Sequence, residues 1–162
     1  MSLRAALVDD LKTVTAITDI VGDRITDMFY EFEDFLNSSA NSISKFPAIS
    51  IEADSYIPEN NVTGHDNLIN GAYTITCYEI VNLGKMRSKS TAVKNRERDK
   101  LRVVDTLAQA VIDYLVDKRG VIGGYYLRKP HIENVSDGIA ESDDNREVVT
   151  REISFSITYS TT

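Results

Sequence analysis

The chain opens on apolar residues at helical spacing. Leu3, Leu7, Val8 and Leu11 recur every three or four positions, Ser2 stands where an N-cap is expected, and the spacing predicts a first helix. A second short helix over 14–21 ends at Gly22, a residue type that closes helices in left-handed geometry. Over 27–35, Met28, Phe29, Tyr30, Phe32 and Phe35 are mixed with four acids, a pattern that fits a strand or a short helix equally. Residues 37–44 are polar and read as a loop. After Phe46-Pro47 the period changes to two. Ile49, Ile51 and Ala53 alternate with Ser50, Glu52 and Asp54, which predicts a strand with one wet face, ended by Pro58. Residues 59–71, rich in Asn, read as a loop or long hairpin tip, and 72–81 has strand composition.

The strongest pattern lies over 91–118. Val93, Leu101, Val104, Ala108, Val111 and Leu115 make one helical stripe, widened by Leu107 and Ile112. Ser90 or Thr91 is placed to cap its start, and Lys118-Arg119-Gly120 supplies a basic last turn and a glycine stop. Glu97 interrupts the stripe where an apolar side chain is expected. It reads either as paired with a nearby arginine or as an intersubunit contact. Gly123-Gly124 open a strand through Tyr126, Arg128, Pro130 and Ile132. An acidic return loop follows over 137–145, and a last strand over 148–159 alternates Val149, Ile153, Phe155 and Ile157 with polar residues. The order predicts an α+β domain: a mostly antiparallel sheet of about four strands, with the long helix and the N-terminal helices packed on one face. Stretches 48–55 and 148–159 are the candidate exposed edges.

Composition adds limits. The 162 residues carry 42% hydrophobic and 27% charged side chains, which suits one domain over 1–162 around a sizeable core. A single cysteine, Cys77, excludes a disulfide framework and a four-cysteine zinc site within one chain. No stretch approaches a membrane span and the N-terminus does not read as a signal peptide, so a reducing, cytoplasmic setting is expected. The net charge of −7 argues against general nucleic-acid binding. Charge is also uneven. Residues 85–102 hold eight bases and two acids, a local +6 that leaves −13 for the rest. Lys85, Arg87 and Lys89, expected in the loop before the long helix, are the candidate contact residues. They read either as a solvated helix start or as a surface meeting an acidic partner.

Catalytic and metal patterns are weak. His65-Asp66 reads as a loop pair, His131 falls in a strand, and no Gly-x-Ser-x-Gly elbow accompanies either histidine. The glycines at 120, 123 and 124 lack the Gly-Lys-Ser/Thr of a phosphate loop. Asp143-Asp144-Asn145 lacks the EF-hand order, and Cys77 reads as a buried structural thiol. The expectation is a protein without an active site, cofactor or metal. A small hydrolase using His65 is the enzymatic alternative.

Leu3-Arg4-Ala5-Ala6-Leu7, the short second helix and Val21-Gly22-Asp23-Arg24-Ile25 resemble the start of phage tail-terminator (tail-completion) proteins. Phe46-Pro47-Ala48-Ile49, the strand over 73–78, the long helix and a final strand pair around an acidic hairpin continue the likeness. Gly-Asp-Arg-Ile followed by Phe-Pro-Ala-Ile is its most specific part. The chain departs from the compact members at 27–45, an insertion serving as an added contact or a loop. The resemblance implies a non-enzymatic virion assembly protein that forms a hexameric ring on the tail tube, ends tail elongation and presents a surface for the head-side connector. Its implied partners are copies of itself, the tube protein and the head-completion protein, with no membrane and no sequence-specific nucleic acid. Its implied place is the host cytoplasm during assembly and then the head-proximal end of the virion tail. A neck or head-completion connector is the alternative within virion biology.

Overall fold

The computed structural model describes residues 2–27, 46–59, 68–142 and 145–161. Along the chain these form α1 (Leu3–Leu11), α2 (Thr15–Val21), β1 (Ile25–Thr26), β2 (Ala48–Glu59), β3 (Leu68–Asn82) and α3 (Leu83–Met86). The long helix α4 (Thr91–Asp117) follows, then β4 (Gly120–Ile122), β5 (Tyr125–Leu127), β6 (His131–Ser142) and β7 (Arg146–Thr161). The class is α+β, as expected. The sheet, however, has seven strands where about four were predicted, in the order β1-β2-β3-β7-β5-β4 with β6 also on β7. All pairs are antiparallel except β1 with β2.

The extra strands have local causes. Gly123 and Gly124 take φ of 52° and 84°, the left-handed geometry of a two-residue hairpin turn, so β4 and β5 fold back on each other. Beyond Pro130 the chain re-enters the sheet as β6, and the acidic stretch read as a return loop runs as strand to Ser142. Pro58 does not end β2. It pairs with Ile69 within the ladder. The segment 148–159, expected at an edge, lies in β7, which has β3 on one side and β5 and β6 on the other. β2 keeps an edge position, with β1 beside it at Ile49 and Ser50. Of the 27–45 insertion, only Asp27 lies among the described residues, and His65, Asp143 and Asp144 also lie outside them.

One sheet face carries the main core. Tyr73, Ile75 and Cys77 of β3 and Ile153, Phe155 and Ile157 of β7 are at most 1% exposed. They pack with Leu107, Val111 and Leu115 of α4, and with Leu7, Leu11 and Ile17 of the N-terminal helices. Alternate residues point to the other face, where Phe46, Tyr78, Ile80 and Val148 make a smaller cluster. Tyr114 Oη donates to Asp10 Oδ2 at 2.7 Å, and Lys118 pairs with the same carboxylate, so the C-terminal end of α4 is tied to α1. The two most specific pieces of the sequence resemblance meet in space. Ile25 pairs with Ile49, and Arg24 Nε donates to the Pro47 carbonyl at 2.8 Å.

Candidate assembly surface

The cationic stretch occupies one end of the molecule, on α3 and the first half of α4. Asn82 closes β3 and caps α3, its side chain accepting from the Lys85 N–H at 3.0 Å. Ser90 caps α4 by accepting from the Val93 N–H at 3.4 Å. Lys85, expected in a loop, therefore sits in a single helical turn, with Arg87 at its C-cap and Lys89 just after it. All three are exposed. Glu97 is 1% exposed. Its Oε2 accepts from the Asn82 N–H at 2.9 Å and pairs with Lys100 Nζ at 3.2 Å. Its partner is thus a lysine and a backbone amide, not an arginine, and it fixes the β3–α3 corner beneath the basic end.

The charges on α4 run the wrong way for helix stability. Lys94, Arg96, Arg98, Lys100 and Arg102 crowd its N-terminal half, against Glu97 and Asp99, whereas Asp105, Asp113 and Asp117 hold the C-terminal half. The backbone dipole already places positive charge at the N-terminus, so this order adds to it instead of opposing it. Lys100 and Arg102 have acidic partners one turn away, but Lys85, Arg87, Lys89, Lys94, Arg96 and Arg98 make no ion pair with any described residue. A row of solvated, mutually repelling cations gains free energy when an anionic surface approaches.

A second acid lies under this end. Glu79 is 6% exposed, on the same face of β3 as Tyr73, Ile75 and Cys77. Its Oε1 accepts from the Ile80 N–H at 2.9 Å. Burial pushes its carboxyl pKa up, opposed by that backbone bond and by Lys100 and Arg24. It lines a cleft of about 470 Å³ with Ile20, Pro47, Asp99 and Arg102. A carboxyl whose pKa is raised in the folded state contributes stability that is present below its unfolded value of 4.5 and is lost as pH rises through the raised one. Glu79→Gln is therefore expected to melt with the wild type below pH 4.5 and above it at pH 7. A variant that melts lower at pH 7 would show that the ionised form is needed.

The sequence pattern named Lys85, Arg87, Lys89 and Glu97 but missed Glu79 and Arg151. Each sits in the apolar phase of its strand, and that misplaced charge was the available signal. Arg151 Nη2 lies 2.8 Å from Asp105, and its Nε donates to Asp137 at 2.7 Å, joining α4 to β6. Cys77 is fully buried, with its thiol pKa pushed up to about 12, so it is a poor nucleophile at neutral pH. His131 is exposed at the start of β6. Among the described residues no group of three or more His, Cys, Asp or Glu is placed to hold a metal ion. No described helix is long and apolar enough to cross a membrane.

Against solved structures, the chain superposes on a chain described as "Virion of native gene transfer agent (GTA) particle", with a TM-score of 0.58 and 14% identity. The match covers 98% of this chain and 95% of that one. The two share a fold. No protein-family model matches, and no curated protein does.

Proposed function

We propose that this chain is a structural protein of a phage-type virion and acts as its tail terminator. The observation that carries the first step is the whole-length likeness to a chain of a gene-transfer-agent virion. The second step rests on the paired Gly-Asp-Arg-Ile and Phe-Pro-Ala-Ile segments and on a cationic end most of whose bases make no ion pair with any described residue. In this reading the chain is one domain without catalytic work. Six copies close a ring on the last ring of the tail tube, stop its growth and offer the other side to the head-completion protein. Binding, not a reaction, is what capping demands.

Lys85, Arg87 and Lys89 then contact an acidic surface on a neighbour or on the tube, over the support that Glu97 gives the corner. Such a contact weakens with salt, because exposed charges are screened over about 8–10 Å at physiological ionic strength. Reversing all three charges is expected to reduce assembly on tail ends while leaving the melting temperature unchanged, since none of the three has an ion-pair partner among the described residues. Equal loss of both would assign the residues to the fold, and no change would leave them as solvated surface.

Electron microscopy of particles made without the protein tests the role. Overlong or headless tails are the expected result. Normal tails beside leaking, tail-less heads would assign the chain to head completion.

A further inference from the structure

Two exposed apolar patches lie far apart on the same sheet. One is the β4–β5 hairpin, where Val121 and Tyr126 face each other across the ladder and are 57% and 54% exposed. The other is a groove of about 460 Å³ between α4 and β6, with Leu101, Val104, Ile139 and Val149 on its walls. Leu101 is 37% and Ile139 59% exposed. Tyr126 stands opposite Ser160 of β7 and Ile139 opposite Val149, so eleven positions of β7, roughly 35 Å, separate knob from groove.

Their charges are opposite. Residues 118–130 contain Lys118, Arg119, Arg128 and Lys129 and no acid. Lys118 is tied to Asp10, but Arg119, Arg128 and Lys129 are exposed and make no ion pair with any described residue. The groove is lined by Asp105, Asp137 and Glu147 against the single Arg151. Its rim, β6, has no strand on its outer side among the described residues.

We propose that copies of this chain join head to tail, the β4–β5 hairpin of one seating in the α4–β6 groove of the next. The proposal rests on the ring reading above and names its subunit contact. Tyr126 and Val121 cover Leu101 and Ile139, and Arg128 and Lys129 face Asp105 and Glu147. An aromatic and arginine knob in an apolar pocket with an acidic rim is the composition that concentrates binding energy at interfaces. Because knob and groove are different surfaces at different ends, the contact is heterologous and repeats around a ring. Pairing β6 antiparallel with β6 of a second copy about Val135 is disfavoured, since it would set Glu133 of each copy against Asp137 of the other.

Charge exchange tests this with the full chain. Arg128→Glu/Lys129→Glu reverses the knob. Asp105→Lys/Glu147→Lys reverses the groove, leaving Asp137 to hold Arg151. By sedimentation at low salt and by decoration of tail ends, each variant alone is expected to associate about tenfold or more weakly than the wild type, at an unchanged melting temperature for the knob variant and a slightly lower one for the groove variant, which gives up the half-exposed Asp105–Arg151 pair. A one-to-one mixture should recover, because alternating copies then present opposite charges at every contact. Wild-type-like association of either variant alone, or a mixture that stays apart, would overturn this contact while leaving the ring. A wild-type chain that stays monomeric on tail ends as well as in solution would remove the ring reading and this contact together. As a second measurement, the double variant Tyr126→Cys/Ile139→Cys, oxidised under air, should give a ladder of disulfide-linked oligomers. Monomer alone, from protein that associates, would place the contact elsewhere. Cys77 does not interfere, being buried with a raised thiol pKa.

Discussion

Phe155→Ala is expected to take away about 3–5 kcal/mol of folding stability, a large part of the roughly 5–15 kcal/mol a domain of this kind holds. Phe155 is fully buried in β7. It is the register partner of Tyr73 on β3 and of Ile132 on β6, and its ring stacks on Tyr73 with centroids 5.7 Å apart. Truncation removes the ring's contacts on both sides of the most central strand, and α4 above it is held at its far end by Asp10 and cannot sink freely into the gap. For a chain of this length the loss corresponds to a fall in melting temperature of about 6–20 °C. Thermal or urea unfolding measures it. The contrast is Tyr126→Ser, whose side chain is half exposed and should change stability by about 0.5 kcal/mol or less. A Phe155→Ala variant as stable as that one would mean the core is not centred where β3, β7 and α4 meet.

How far such features could be read in advance depends on how much of each is local. α4 was legible almost to the residue, because 27 residues of 3.6-fold periodicity carry their own cap and stop. β1 and β4, with two and three residues, are too short to show any period: β1 is a strand only through Ile49 and Ser50 of β2, and β4 only through its hairpin with β5. β6 was hidden differently. As the outer strand it is exposed along nearly its whole length, so Asp137 and its polar neighbours gave the composition of a loop. Pro58 misled for a related reason. Beyond Ser50 no described strand lies on the outer side of β2, and a proline costs no ladder hydrogen bond where its missing N–H would face outward. β7 was read correctly as a strand and wrongly as an edge, since position in a sheet is fixed by pairing, which alternation does not encode. The same division holds at the surface. The run of cations is a property of the sequence, whereas the meeting of Asp105, Asp137 and Arg151 needs α4, β6 and β7 brought together.

The largest effect is expected from removing the protein altogether. If it caps the tube, virions made without it should carry tails of wrong length that fail to join heads, while filled heads accumulate beside them. A tube grows by adding identical rings, so each new end is as competent for addition as the last. Growth stops only when something that fits the end, but does not copy it, binds there first. That binder competes with the next tube ring for one surface, and each 1.4 kcal/mol of preference shifts the competition tenfold. A modest loss of affinity therefore gives a spread of lengths, and complete loss removes the stop. Charge reversal at Lys85, Arg87 and Lys89 should accordingly produce a partial form of the same defect, worsening as salt rises, whereas deletion should be insensitive to salt because no contact remains to screen. Purified protein added before tails overgrow should restore both length and joining. Restoration of joining alone, on tails already of normal length, would place the protein on the head side of the joint instead of at the end of the tube.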